Sequence, residues 1–301
     1  MAQLINFKEL KKDFNYYLDE LSFLCKSDLE SVNTIILEKL NSNIPLVQEI
    51  ATYLIKSGGK RLRPLLTCCS YKMSNNEKNN QKNHLNLAAA VEFIHAATLL
   101  HDDVVDKSKK RRGNLSANEV WGNKSSVLVG DFLFSRAFQL MAKTENMKVL
   151  KLLSNTSVII SEGEILELSN DNNPALSEDI YLEVINGKTA SLFSAACQVG
   201  AMINNVDKAK VEAFKTFGTN FGISFQLIDD AIDYASNLKK LDKNIGDDFK
   251  EGKITLPLIL AYLRSNDKEK KFWINTIKKL NQKENDFEKA VKIMNKYIFI
   301  I

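Results

Sequence analysis

Apolar residues recur at helical spacing along most of this chain, and short polar breaks divide the runs. Two runs share an ending. Phe93 to Leu100 leads into Asp102-Asp103-Val104-Val105-Asp106, and Phe221 to Ile228 leads into Asp229-Asp230-Ala231-Ile232-Asp233. Upstream, Ser27-Asp28-Leu29-Glu30 has the form of a capping box, which predicts a helix opening there and running through Ile35, Ile36 and Leu40. Another helix is predicted over Asp131 to Met141. The breaks are the polar run Ser74 to Asn83, the basic loop Lys107 to Asn114, Ser169 to Ser177 around Pro174, and the stretch Ser236 to Thr255, rich in Lys, Asp and Gly. None reads as an interdomain linker, and no short-period repeat is present. The expected architecture is all-α, one helical domain over residues 1–301.

Composition narrows the picture. Pro (4) and Gly (12) are scarce and 45% of residues are hydrophobic, which suits a helical fold with a large core. A net charge of +4, spread along the chain, is too weak and diffuse for a nucleic-acid partner. Cys25, Cys68, Cys69 and Cys197 show no zinc or redox spacing, so reduced, mostly buried thiols in a cytoplasmic protein are expected. Met1 to Glu20 is charged and amphipathic and does not resemble a secretory signal. The long run Leu85 to Leu100 is interrupted by Glu92 and His95, so no apolar run reaches membrane-spanning length.

The paired acidic endings carry the chemistry. Residues four apart on a helix project from one face, so Asp102 lies beside Asp106 and Asp229 beside Asp233. Such pairs repel. One cluster alone would most often be a solvated face; two of the same form invite a hard divalent cation. Magnesium takes one or two carboxylates and leaves its other positions to water and phosphate oxygens. Basic residues supply the complement. Gly58-Gly59-Lys60-Arg61-Leu62-Arg63-Pro64 places flexible glycines before three cations, and Lys109-Lys110-Arg111-Arg112-Gly113 follows the first acidic motif. Each alone would be an ordinary basic surface. Together they offer cations for two diphosphates, one bound through metal and one directly. His95 lies two turns before Asp102, nearly on its face, although a histidine on an apolar helix is ordinarily a satisfied core residue. Asp103 and Asp230 are offset from their partners and are expected to act from behind them; Gln226 could cap a helix kink near Gly218 and Gly222.

In order, Gly58 to Pro64, Phe93 to His101, the first acidic motif, Arg111-Arg112-Gly113, Gly130-Asp131, Gly187-Lys188-Thr189-Ala190, Phe225 to Ile228, the second acidic motif, Lys243 to Asp248 and Glu251 to Pro257 resemble the trans-polyprenyl diphosphate synthases. The resemblance implies a bundle of long antiparallel helices around a deep central cavity, usually a homodimer. It implies magnesium as cofactor, about three ions per site, held by Asp102, Asp106, Asp229 and Asp233. It further implies that Lys60, Arg63, His95 and Arg112 hold isopentenyl diphosphate and that Arg111 holds the allylic diphosphate. Lys188, Thr189 and Gln226 would line the ionising group, with Lys243 and Lys253 closing on its diphosphate. The expected reaction is head-to-tail condensation of an allylic diphosphate, farnesyl diphosphate above all, with successive isopentenyl units.

In this family, bulky side chains just before the first acidic motif stop the growing chain early. Ala97 and Thr98 are small, so a long product is expected, and the resemblance implies octaprenyl length, for quinone side chains. The floor is then expected deeper, on the helix carrying Phe132, Phe134, Phe138 and Met141, with Met141 as the favoured stop and ordinary core packing of this Met and Phe stripe as an equal alternative. The resemblance also implies a further helical segment beyond Lys296-Tyr297, where this sequence reads Ile298-Phe299-Ile300-Ile301; the final segment is expected to be missing. A short-chain (farnesyl or geranylgeranyl) synthase would share the chemistry. A class I terpene cyclase would lack the Gly58 to Pro64 segment. A non-catalytic subunit of a heteromeric synthase would be expected to lose aspartates that are all retained here.

Overall fold

Every position from Leu87 to Ile94 is buried. A helix that is apolar on all sides belongs at the centre of a bundle, and that is where α5 (Asn83–Val105) lies in the computed structural model, which describes residues 14–74, 82–235 and 246–297. Before it come α1 (Phe14–Leu24), α2 (Lys26–Lys39), α3 (Pro45–Lys56) and α4 (Leu62–Ser74). A two-stranded antiparallel hairpin, β1 (Lys110–Arg111) and β2 (Asn114–Leu115), follows and is the one sheet among the described residues. The chain continues through α6 (Ala117–Trp121), α7 (Asn123–Ala142), α8 (Met147–Ser169) and α9 (Glu178–Ile185). A π-helical turn, Asn186–Ala190, joins α9 to α10 (Ser191–Met202), and α11 (Lys208–Asp233) is the longest helix. The last elements are α12 (Asp247–Glu251), α13 (Leu256–Arg264), α14 (Asp267–Trp273) and α15 (Asp286–Tyr297).

The all-α expectation holds. Alanines 88 to 90, 96 and 97 keep α5 slim, and α7 packs along it more extensively than any other helix. Leu133, Ala137, Leu140 and Met141 of α7 and Val149 and Leu153 of α8 join α5 in the main core. A second core gathers Tyr234, Phe249, Leu258, Trp273, Ile277 and Met294 from the C-terminal helices. Each fully buried large side chain contributes about 1.5–3 kcal/mol. All four cysteines are free and buried. Among the described residues, no helix is long and apolar enough to cross a membrane.

Several local expectations are revised. The Ser27 capping box does not form: α2 begins at Lys26, with Cys25 as N-cap and no side-chain cap. Cys25 N–H donates to Leu21 O at 3.1 Å and Leu29 N–H to Cys25 O at 2.9 Å. The backbone ladder thus bridges α1 and α2, leaving less for a capping side chain to satisfy. The basic segment after α5 is a hairpin. The α11 helix runs unbroken through Gly218 and Gly222. A Cβ on Gly222 would lie 2.5 Å from Ala190 Cα and one on Gly218 2.7 Å from Phe193 O, so these glycines admit the backbone of α10 and the turn before it. On α7, Met141 is buried in the main core, whereas Phe138 is 43% exposed.

Candidate active site

The last turn of α5 and the hairpin form one unit. Asp103, only 1% exposed, accepts from Arg111 Nε at 2.9 Å and from Arg111 Nη2 at 2.7 Å. Arg111 is thereby fixed beside Asp102 and Asp106, which raise its pKa together with Asp103 against the opposing effect of burial. Strand register pairs Arg111 with Asn114 and leaves Arg112 and Gly113 as the turn, with φ of 51° and 79°. A two-residue turn with both φ positive matches the twist of its strands. It carries the Arg112 guanidinium to the loop between α3 and α4, where a Cβ on Gly59 (φ 142°) would lie 2.9 Å from Arg112 Nη1. The positive φ is what favours glycine here.

Beside it, Arg63 in the first turn of α4 stacks 4.1 Å from the Phe193 ring centroid. Its Nε is buried without a partner, and burial lowers its pKa to about 10. Burial first, then Arg63 and Arg112, hold His95 well below its ordinary pKa, so it is a neutral imidazole among cations. Arg61 is otherwise engaged: it bonds Glu92 and donates to Ile55 O at 3.0 Å, and so serves the scaffold. Lys60 is exposed at the edge of this cluster.

The second acidic motif ends α11. Asp230, 4% exposed, accepts from Tyr181 Oη at 2.6 Å and Gln226 Nε2 at 2.7 Å. Gln226 Oε1 in turn accepts from Thr189 Oγ1 at 2.9 Å. Asp233, expected as a metal ligand, accepts the Asp248 amide at 3.1 Å through Oδ2 and so anchors the start of α12. Lys188, on the π turn, lies 2.9 Å from Glu164 and 2.6 Å from Glu167. The turn sits close on α8, where a Cβ on Gly163 would meet Lys188 N at 2.7 Å. Lys253 ion-pairs with Asp106 at 3.5 Å and with Glu251 at 3.0 Å.

A cavity of about 160 Å³ is lined by Glu167, Lys188, Gln226, Asp229, Asp230 and Lys253, among others. Because Lys253 also touches Asp106 and Lys188 acts electrostatically on Asp102, both acidic motifs face this space. A larger groove of about 670 Å³, lined by Gln48, Tyr53 and Trp121, has only Glu49 and Lys56 as charged neighbours and lacks such convergence. Lys243 lies outside the described residues.

A family model described as polyprenyl synthetase matches residues 44–294. The chain belongs to the polyprenyl synthetase family. It is a prenyltransferase, and it is similar to synthases of the long-chain type. It shares 43% identity over 257 residues with an octaprenyl diphosphate synthase of Haemophilus influenzae, covering 85% of this chain and 77% of the relative. A decaprenyl diphosphate synthase structure from Rhodobacter capsulatus superposes with a TM-score of 0.88 at 47% identity, covering 93% of this chain and 86% of that one. A polyprenyl synthase from Caulobacter crescentus CB15, complexed with calcium and isoprenyl diphosphate, gives the same TM-score and identity, covering 93% and 84%.

The electrostatics of this synthase fit a hard cation. Burial raises Asp102 to about 6, with Lys188 opposing and Asp106 adding to the rise. Burial likewise raises Glu164 to about 8. Carboxylates thus crowd a space in which Lys188 and Lys253 are half-buried ammonium groups. Among the described residues no three acidic, His or Cys side chains close around a single point. Magnesium, which keeps water and phosphate oxygens in its shell, suits walls of that kind. Sequence reading missed Glu164, Glu167 and Tyr181 and gave Asp248 no role. Glu164 and Glu167 are spaced to share a helix face, but Glu162 nearby blurs that signal, and Tyr181 has no local signal at all.

Proposed function

We propose that residues 1–301 form one catalytic domain that extends farnesyl diphosphate with successive isopentenyl diphosphates to an all-trans product of octaprenyl length, used for quinone side chains, in a magnesium-dependent homodimer. The observation that supports this most is the pairing of two unlike anion sites: an acidic cavity with Lys188 and Lys253, and an arginine cluster of Arg63 and Arg112 around neutral His95. Asp102, Asp106 and Asp229 would hold the metal, with Asp233 supporting the second wall through α12. Magnesium bound there supplies neutralisation of charge on the leaving diphosphate.

The chain's own groups do the rest. Lys188, Lys253 and Arg111 place positive charge where the allylic carbon–oxygen bond breaks and the electron pair leaves with diphosphate. Thr189 and Gln226 present oxygen to the allylic cation. Arg63, Arg112, Lys60 and His95 hold isopentenyl diphosphate so that its double bond attacks that cation, forming the new carbon–carbon bond. The proton then lost passes to the departing diphosphate, so no protein base is needed.

Growth past the small Ala97 and Thr98 gives the long product. The test is incubation with magnesium, farnesyl diphosphate and labelled isopentenyl diphosphate, with product length read by chromatography. A ladder ending near octaprenyl supports the reading. A stop at geranylgeranyl would keep the chemistry and assign the chain to the short-chain synthases.

A further inference from the structure

We infer that Tyr181 is a positioning residue for the prenyl-transfer step, acting through Asp230 to fix the Gln226 amide and the Thr189 hydroxyl toward the reacting carbon; this rests on the functional reading above. Four side chains from three elements form one chain of hydrogen bonds that converges on the Asp230 carboxylate. Tyr181 Oη on α9 donates to Asp230 Oδ2 at 2.6 Å, and Gln226 Nε2 on α11 donates to Asp230 Oδ1 at 2.7 Å. Thr189 Oγ1 on the π turn donates to Gln226 Oε1 at 2.9 Å. An ionised carboxylate only accepts. The amide must therefore turn its NH2 to Asp230 and its carbonyl oxygen to Thr189, whose hydroxyl hydrogen is then committed.

Both Gln226 and Thr189 line the cavity, and with the Thr189 hydrogen and one amide hydrogen of Gln226 committed, each keeps an oxygen lone pair to offer a ligand there. Oxygens held in advance of reaction stabilise a developing cation without reorganising when it forms. Tyr181 occupies the second carboxylate oxygen. Without it, Asp230 can rotate, and the Gln226 amide and the Thr189 hydroxyl keep their sense but lose their fixed position. Both groups are buried, at 3% and 4% exposure, in the wall of the cavity.

The test is steady-state kinetics of Tyr181→Phe, which removes only the hydroxyl, with farnesyl and isopentenyl diphosphates and magnesium. The expected kcat falls about ten- to a hundredfold, while both KM values stay within about twofold. In a Gln226→Ala background, Tyr181→Phe is expected to change kcat no further, because its effect travels through the amide. Undiminished kcat, or a loss that multiplies in the Gln226→Ala background, would overturn the inference. If Tyr181→Phe melts early, Asp230→Asn is measured in its place, with the same loss and the same non-additivity expected. A folded wild type without turnover removes the functional reading and this inference together; an active wild type with an unaltered Tyr181→Phe removes this inference alone.

Discussion

Asp102, proposed as a metal ligand, would serve the reaction at the expense of the fold. Its carboxyl is raised to about 6, chiefly by burial. A carboxyl whose folded pKa exceeds its unfolded value of 3.8 stabilises the fold while it is protonated, and that contribution is lost as pH rises through 6. At pH 8 the ionised group opposes folding until a cation joins it. Metal-free Asp102→Asn is therefore expected to melt about 2–4 °C above wild type at pH 8, with the gain shrinking toward pH 5, and to lose at least about a hundredfold in prenyl transfer. Thermal melts across pH check this, and a difference independent of pH would contradict it. Arg112 is proposed to serve one substrate and not the other. Held against Gly59 and beside Arg63 and His95, away from the acidic cavity, it is expected to act on one diphosphate only. Arg112→Gln should raise KM for isopentenyl diphosphate about tenfold or more and leave KM for the allylic substrate alone. Equal changes in both constants would contradict that division.

The elements meet the site through close backbone contacts. Gly222 and Gly218 let α11 approach α10 and the π turn, and Gly163 lets the turn press on α8. Gly222→Ala places a methyl 2.5 Å from Ala190 Cα. It is expected to lower stability by about 1–3 kcal/mol, read from the denaturant midpoint; an unchanged midpoint would show that the helices can part freely. How much of this was legible follows from the range of each signal. The acidic pairs are local, with residues one helical turn apart, so sequence placed them on one face. The Arg111–Asp103 bond depends on a hairpin whose turn, Arg112-Gly113, reads as ordinary basic loop. The Tyr181–Asp230 and Lys188–Glu164 bonds span 49 and 24 residues and arise from packing that no local pattern encodes. The Ser27 cap failed for the opposite reason: its local signal is sound, but a helix already running into α2 satisfies the backbone first.

At the scale of the molecule, α5 and α11 deliver their acidic ends to one cavity while two separate cores hold the bundle and its C-terminal helices. Product length depends on what lies beyond that cavity. Ala97 is fully buried in the main core, whereas Thr98, one residue on, is half-buried and donates to His95 O at 2.9 Å. A phenylalanine at the two positions should therefore act differently. Thr98→Phe is expected to shorten the product with little loss of stability, while Ala97→Phe overpacks the core by about 1–3 kcal/mol. Chromatography and melts on the two variants check this, and long products from Thr98→Phe would show that growth takes another path. The most direct measurement is diphosphate release by the wild type with farnesyl and isopentenyl diphosphates, in magnesium and again in excess chelator. Release of one diphosphate per isopentenyl unit consumed, abolished by chelator, is the expected result. A folded protein that releases none in magnesium, or releases it equally in chelator, would contradict metal-assisted prenyl transfer at this site.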